Sequence, residues 1–381
     1  MKKKILFVAY EFFPHGGGGE IASYKILKGL AEKGEYQIDI LTTWDLNSGT
    51  KPQKIPGTNF ITVPIWRKDL NNTGFIGMLM FCFMSLIPFI ILTLKNKYDL
   101  IHFWAAIPTA TLSFFNFRKT PYIITYGGAD ITGFAPGQFD RLHKILFPIS
   151  KYLAKNARKC IAMSNCAANY AQNIYKLDEC LTIYNAADES SKISQINNNG
   201  PLKLVSVARL IPWKKVNQAV EAVIECDNVT LDVIGPGPEL ENLKTIAGKQ
   251  LDKTITFHGS IDNKEVYERL PDYDVFILPS TGDSFGIVFT EAMSCGLATI
   301  GANAGGVKEV IKDGYNGFLT EPDNVDSIIT SIQKLEKNRK LLSEFKSNSI
   351  KRYNDFFTWD YPIKQYDTLY KKITRRDYET N

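Results

Sequence analysis

Residues 275–291 read VFILPSTGDSFGIVFTE, and the reading of this stretch decides the fold. The apolar run Val275 to Leu278 predicts a buried strand, a polar turn containing Gly282 and Gly286 follows it, and a helix is expected to begin near Ile287. Asp283 falls in the turn, Gly286 permits close backbone approach, and the first N–H groups of the helix point toward whatever enters. Glu291 stands about one turn into the helix, where its two oxygens can accept hydrogen bonds from vicinal hydroxyls. This is one βα unit, and the alternation repeats outward from it. Thr254 to His258, Thr230 to Ile234 and Leu202 to Val207 predict strands on its N-terminal side, and Tyr122 to Thr125, Leu100 to Trp104, Gln37 to Thr42 and Ile5 to Ala9 do so in the first half. Strands separated by amphipathic stretches imply parallel sheets covered by helices. The polar run 190–201, SSKISQINNNGP, reads as a linker between two Rossmann-like domains facing across a cleft, over residues 1–189 and 201–361, with a helix over 362–381 packing back on the first.

Candidate chemistry clusters after the strands. In residues 204–215, LVSVARLIPWKK, Arg209 follows a buried strand and Lys214 lies past a Pro-bearing turn, so both cations would reach the mouth of the cleft, as a planar fork and a point charge for a diphosphate. Gly235 ends the next strand in a glycine turn that lets a ligand or backbone come close, and His258 ends the one after. In the first half, Gly16, Gly17, Gly18 and Gly19 open a helix and could bring backbone N–H groups to an anion. Their spacing is not G-x-G-x-x-G, and Thr42, Thr43 and Trp44 follow the second strand where a dinucleotide site would place an acid, which disfavours a plain NAD site.

Composition narrows the classes. Of 381 residues, 44% are hydrophobic and 22% charged, which excludes a disordered or collagen-like chain. Six scattered cysteines without C-x-x-C suggest neither a disulfide framework nor a zinc ribbon. Residues 1–190 carry 21 Lys and Arg against 14 Asp and Glu, a balance of +7, and the remainder carries −2. No basic patch interleaved with aromatics points to nucleic acid, and an anionic membrane surface fits the asymmetry as well. Residues 70–94 contain no charge and are long enough to cross a bilayer, but the strands expected on either side belong to one sheet, and Gly77, Ser85 and Pro88 interrupt the run. A helix partly on the sheet and partly on lipid, or a plain core helix, are the two readings. Residues 141–159 hold no acid and place Arg141, Lys144, Lys151, Lys155 and Arg158 near helical spacing, opposite Leu142, Ile145, Ile149 and Leu153; this is a solvated face or one that docks on anionic lipid.

Arg209-Leu-x-x-x-Lys214, the turn Gly235-x-Gly-Pro-Glu239, Asp283-x-Phe-Gly-x-x-x-x-Glu291 and the run from Ala304 through Gly305, Gly306 and Glu309 to Gly317 resemble, in order, the retaining GT-B glycosyltransferases of family four, near-continuously from Leu202 to Pro322. The Gly16 loop and Asp99-Leu-Ile-His102 extend the resemblance loosely into the first half. It implies a nucleotide-diphosphate sugar on the C-terminal domain, a glycan or lipid-linked acceptor on the N-terminal one, and a place in bacterial surface-polysaccharide assembly on the cytoplasmic face of the membrane. Residue by residue, it implies that Arg209 and Lys214 hold the diphosphate and Asp283 the sugar hydroxyls. Phe285, Gly286, Ile287 and Val288 would offer backbone N–H groups, Glu291 would hold the ribose, and Gly16 to Gly19 would close on the phosphate. Tyr126, Gly127, Gly128 and Asp130 would stand on the acceptor or sugar side. No cofactor or metal is expected. Three positions depart from the family: Asp283 replaces a usual Glu, Tyr126 a frequent His, and Lys215 a usual Gly. Asp272-Tyr-Asp274 spells a metal motif but precedes its strand instead of ending one, and reads as a turn. A sugar-nucleotide epimerase and a silent scaffold of an assembly complex are the alternative functions.

Overall fold

The computed structural model describes residues 2–68, 73–134, 140–195 and 200–375, with residues 140 and 141 in backbone only. The chain divides into two compact units, one of residues 1–185 and 359–381, the other of residues 186–358.

The first unit holds seven strands, β1 (Lys3–Ala9), β2 (Tyr36–Asp45), β3 (Thr58–Ile65), β4 (Leu100–Trp104), β5 (Tyr122–Tyr126), β6 (Lys159–Ala162) and β7 (Cys180–Thr182). They form one parallel sheet in the order β3-β2-β1-β4-β5-β6-β7. Its helices are α1 (Gly18–Glu32), α2 (Gly74–Lys95), α3 (Asp140–Asn156) and α4 (Asn165–Tyr175). The second unit repeats the plan with β8 (Leu202–Val207), β9 (Val229–Ile234), β10 (Ile255–Gly259), β11 (Val275–Leu278), β12 (Ala298–Ala302) and β13 (Gly317–Thr320), parallel in the order β10-β9-β8-β11-β12-β13. Its helices are α5 (Val216–Ile224), α6 (Leu240–Ala247), α7 (Asn263–Arg269), α8 (Ile287–Ser294), α9 (Val307–Val310), α10 (Val325–Lys337) and α11 (Arg339–Phe356). Residues 5–9 and all of β4, β5, β11 and β12 are buried, as parallel strands covered on both faces require. Each sheet reverses its strand order beside its first strand, between β1 and β4 and between β8 and β11, and ligands of such sheets enter beyond the carboxyl ends of the strands at these points.

The last helix, α12 (Asp360–Thr374), belongs to the first unit and packs on α1 and β4. Tyr36 donates from its hydroxyl to Asp367 Oδ1 at 2.6 Å, and Lys33 and Lys371 each lie 3.1 Å from Asp367 Oδ2. His102 on β4 is held between the Tyr370 hydroxyl at 2.6 Å and Thr125 Oγ1 at 2.8 Å, and burial lowers its pKa to about 3, so the ring is neutral. His102 is therefore a packing residue.

Three sequence expectations change. The segment starting at Ser190 is not a free linker: Ser194 N–H donates to Cys295 O at 2.8 Å, its hydroxyl bonds Tyr273 O, and Lys346 Nζ reaches that hydroxyl at 2.7 Å. Residues 196–199 of it, like 376–381 of the expected terminal helix, lie outside the described residues. Secondly, α2 is unbroken from Gly74 to Lys95, and Gly77 and Ser85 are among its buried residues. Thirdly, Ile145 does not join the buried face of α3 but is 73% exposed.

Asp274 is a structural anchor of the second unit. Its Oδ2 accepts from the Lys203 N–H at 3.1 Å and its Oδ1 pairs with Lys346 Nζ at 3.2 Å, with both side chains at most 5% exposed. Removing one partner of such a pair leaves an uncompensated buried charge. Lys346→Met is expected to lower the unfolding free energy by about 3 kcal/mol or more, and Lys346→Met with Asp274→Asn to recover much of it. Urea unfolding of the full chain measures both, and equal losses in the single and double variants would refute the assignment.

Candidate active site

The loops after β8 and β11 emerge side by side at the switch point of the second sheet. Arg209, two residues past β8, is exposed. A single turn of 3-10 helix, Pro212–Lys214, then carries Lys214 onto the β11 loop, where its Nζ lies 2.6 Å from Asp283 Oδ1. Both side chains are 17% exposed, and Asp283 Oδ2 is buried without a partner among the described residues. Ser280 Oγ donates to Trp213 O at 3.3 Å and ties the two loops together again. Lys215 turns away: it adopts the left-handed conformation at φ 54° and pairs with Asp323 at 2.9 Å. So of the predicted residues of this unit, Lys214 and Asp283 are in direct contact and Arg209 shares their edge of the sheet.

Both loops are pinned from behind by glycines. A Cβ at Gly237 would lie 2.2 Å from Leu210 O, and Leu210 N–H donates to Pro236 O at 2.8 Å, so the Gly235 turn is pressed against the backbone on either side of Arg209. Likewise a Cβ at Gly306 would lie 2.1 Å from Ser284 O, while Gly306 N–H donates to Asp283 O at 3.0 Å. The approach allowed at Gly235 is thus one of backbone on backbone. Gly305 and Gly306 carry the resemblance in the sequence, but their contact with the Asp283 loop had no signal there.

α8 starts on Gly286 at φ 87° with no side-chain cap, and Ile287 and Val288 form its first turn. The Phe285 ring is buried against Phe357 at 5.8 Å between centroids, so any part it takes in a site is through its backbone. Glu291 is partly buried, and burial raises its pKa to about 7, with a hydrogen bond from Tyr267 lowering it and the nearby Asp188 raising it. Tyr267 and Asp188 were not singled out in the sequence, where an isolated tyrosine on a short helix gives no pattern. His258 is engaged by Asp232 Oδ2 at 3.0 Å and by Arg269 Nη1 at 3.4 Å.

In the first unit, Gly16 takes φ 88°, and Gly18 and Gly19 already lie in α1. The Gly17 N–H donates to Glu20 Oε2 at 2.7 Å, so the chain's own carboxylate occupies an N–H of the glycine loop. Burial, and next the charge of Glu11, raise the Glu20 pKa to about 8. Asp130 accepts from the N–H groups of Gly127 at 2.9 Å, Gly128 at 3.0 Å and Ala106 at 2.9 Å. At Tyr126 the side chain is fully buried, stacks on Tyr175 at 6.0 Å and faces Cys160, so its phenol does not reach a sugar and only its backbone is left for that part. A cluster the sequence analysis passed over lies beside the loop. Glu11 pairs with Arg67 and accepts from Thr73, and the buried His15 has no partner on either ring nitrogen among the described residues, its pKa lowered by burial and by Arg67.

Comparison with known proteins matches this architecture. Residues 188–352 match the family described as glycosyl transferases group 1, and residues 16–191 match Glycosyltransferase Family 4. The chain is 28% identical over 239 residues to an uncharacterized glycosyltransferase of Methanocaldococcus jannaschii, covering 59% of this chain and 61% of that protein. It is 26% identical to the N-acetyl-alpha-D-glucosaminyl L-malate synthase of Bacillus anthracis, covering 74% of this chain and 77% of the other. Among solved structures, sucrose-phosphate synthase from Thermosynechococcus elongatus superposes with TM-score 0.82 at 18% identity, over 98% of this chain and 99% of that one. Anabaena HepE in complex with UDP and glucose gives TM-score 0.72 at 19% identity, over 97% and 99%. The last two fix the fold as two Rossmann-like units of the GT-B type.

The glycine contacts generate a graded expectation. Gly237→Ala and Gly306→Ala each force a loop to move and should lower stability by about 1–3 kcal/mol. Gly19→Ala, where a Cβ meets nothing within 4 Å, should be neutral or stabilising in its helix. Thermal unfolding of the three variants checks this, and indistinguishable midpoints would show that the loops are not clamped.

Proposed function

We propose that this chain, which belongs to the GT-B glycosyltransferases, transfers a sugar from a nucleoside-diphosphate sugar to a glycan or lipid-linked acceptor with retention at the anomeric carbon, in the assembly of a bacterial surface polysaccharide. The observation that carries the donor side is the contact of Lys214 with Asp283 at 2.6 Å, at the switch point and beside the start of α8. Breaking the bond from the anomeric carbon to the diphosphate puts charge on the departing phosphate oxygens. Lys214, Arg209 and the N–H groups opening α8 offset that charge, and groups that meet charge as it develops lower the barrier most. Asp283 Oδ2 would accept from a sugar hydroxyl, and Glu291, which also accepts from Tyr267, would hold the ribose. Asp283 is one methylene shorter than the usual Glu, so the sugar would sit nearer the strand ends. Transfer is proposed to need no metal, since the positive charge comes from side chains and a helix end, and Asp274 is committed to Lys346 and the Lys203 N–H. HepE, seen with UDP and glucose, makes UDP-glucose the first donor to try.

Thermal shift with a panel of nucleotide sugars tests the donor. A ligand at a hundred times its dissociation constant stabilises the fold by about 2.7 kcal/mol. Arg209→Ala and Lys214→Ala should each cut turnover about a hundredfold or more, with EDTA leaving the wild-type rate unchanged. Full rates in both folded variants would remove the pair from the site. Loss of activity in EDTA with rescue by Mn²⁺ would refute metal independence, and release of an isomerised donor without an acceptor would mark an epimerase.

The Glu291 pKa of about 7 sets two opposed pH trends. Because the folded value is raised, the contribution of Glu291 to stability is present below the unfolded carboxylate range and is lost as pH rises through 7. Donor binding runs the other way, since only the ionised carboxylate accepts from both ribose hydroxyls. Affinity should fall up to about tenfold between pH 8 and pH 6. Calorimetric titration should show that slope in the wild type and none in Glu291→Gln; the same slope in both would take Glu291 out of the ribose contact.

A further inference from the structure

Helix α2 is apolar on two opposite sides. Gly77, Phe81, Ser85, Phe89 and Thr93 recur every fourth residue and are buried, and the helix packs on β3, β2 and the 3-10 turn Thr109–Phe115. The other side carries Ile76, Leu79, Phe83, Ile87, Ile91 and Leu94, a stripe at the same spacing that is exposed over its whole length, with Phe83 at 72%, Ile87 at 66% and Ile76 at 64%. A surface helix normally turns charged and polar residues outward. This one, with a mean hydropathy of 2.6 over its most apolar 18 residues, turns out none before Lys95. The exposed apolar surface does not end with α2. The neighbouring turn adds Phe114, Phe115 and Phe117, and Phe114 stacks on exposed Tyr152 of α3 at 5.4 Å and 14°. A contiguous patch of this extent marks an interaction surface.

Charge identifies the occupant. Residues 70–159 contain ten Lys and Arg against three acids, Asp99, Asp130 and Asp140. Asp99 accepts from the Lys4 N–H, and Asp130 is taken up by three backbone N–H groups. Lys95, Lys97, Arg118, Lys119, Lys144 and Lys155 are exposed. Lys119, Lys155 and Arg158 line one groove together with Phe114 and Tyr152, so three cations sit beside the stacked rings. An apolar stripe rimmed by cations and poor in acids matches the layering of a bilayer surface, acyl chains beneath anionic headgroups. A second copy of the chain fits worse, because a two-fold interface would set the same cations against one another. A spanning helix fits worse still: the residues before and after α2 enter β3 and β4 of one sheet, and its inner stripe is packed on that sheet.

The geometry points to the face formed by α2, residues 109–117 and the exposed side of α3 as a surface that docks in the plane of an anionic bilayer, with the outer stripe of α2 seated among the acyl chains and Lys119, Lys155 and Arg158 on the headgroups. The docking is primarily hydrophobic, and of the two sequence readings of residues 70–94 it takes the helix that lies partly on the sheet and partly on lipid. It does not depend on the proposed donor or acceptor.

The full-length chain is floated with vesicles of phosphatidylcholine alone or mixed with phosphatidylglycerol, at low and at 0.5 M added salt. The wild type should float with the mixed vesicles and keep a large part of that binding in high salt, because screening removes the charge contribution alone. Phe83→Ser with Ile87→Ser should reduce partitioning at least tenfold on both kinds of vesicle. Lys119→Glu with Lys155→Glu should reduce it about fivefold or more per charge on mixed vesicles and little on neutral ones. All four residues are exposed, and unchanged thermal unfolding confirms intact variants. No flotation in any condition overturns the proposal. Equally, a lipid-free dimer that Phe83→Ser with Ile87→Ser disperses, without vesicle binding, assigns the face to a second copy, and release from membranes by detergent alone assigns α2 to a span.

Discussion

Backbone pressed on backbone, with no side chain between, is the constraint on which the chemistry of the C-terminal unit depends. Gly237 against Leu210 O and Gly306 against Ser284 O leave no room for a methyl group, so the loops bearing Arg209 and Asp283 are each buttressed by a loop from another part of the chain. A lysine reaching a carboxylate across 69 residues of sequence keeps a 2.6 Å separation only if both ends of the span are fixed. Side-chain packing around such loops would leave rotamer freedom; backbone contact does not, and a site must be held to a fraction of an ångström to act on a transition state.

The two units share a topology and use it to opposite electrostatic ends. Where the second unit gathers Arg209, Lys214 and a helix N-terminus at its switch point, the first gathers carboxylates: Glu11, Glu20 and Asp130 all raise the pKa of the Tyr10 hydroxyl, after burial itself. Two of those acids already hold the N–H groups that glycine loops present, Glu20 at Gly17 and Asp130 at Gly127 and Gly128. Glu11 in turn pairs with Arg67, so all three acids are engaged within the unit, as Lys214 is by Asp283 in the other.

The sequence made the architecture legible because buried parallel strands are continuous apolar runs, and because βα turns must carry glycine and polar residues. It missed β3, β6, β7, β12 and β13, several of them too short or too mixed to stand out. Arg209, Lys214 and Asp283 could be nominated since each follows a strand end. Their contact could not, because it depends on the tight turn at Pro212–Lys214, which rotates one lysine onto Asp283 and the next, Lys215, toward Asp323. The direction of the Tyr126 side chain was hidden for a related reason: the last residue of a strand can face the loop region or the core, and here Tyr175 and Cys160 draw it inward.

Helix α2 shows where polarity patterns stop being informative. Periodicity reveals a buried face only by contrast with a polar one, and a run with no charge between Gly74 and Leu94 has no contrast. Size decides instead. Gly77, Ser85 and Thr93 are the small residues that let the helix lie close to the sheet, and Phe81 and Phe89 fill the space between them. Burying that stripe is enough to seat the helix, so the outer one plays no part in holding the fold. Fully covering a large aliphatic or aromatic side chain is worth about 1.5–3 kcal/mol, and the six residues of the stripe, each about half to three-quarters exposed, together represent roughly 5–10 kcal/mol, within the range of a whole domain's stability. Left in water, that stripe is a standing drive toward an apolar phase, and the cations beside it are the reason the phase proposed is an anionic bilayer.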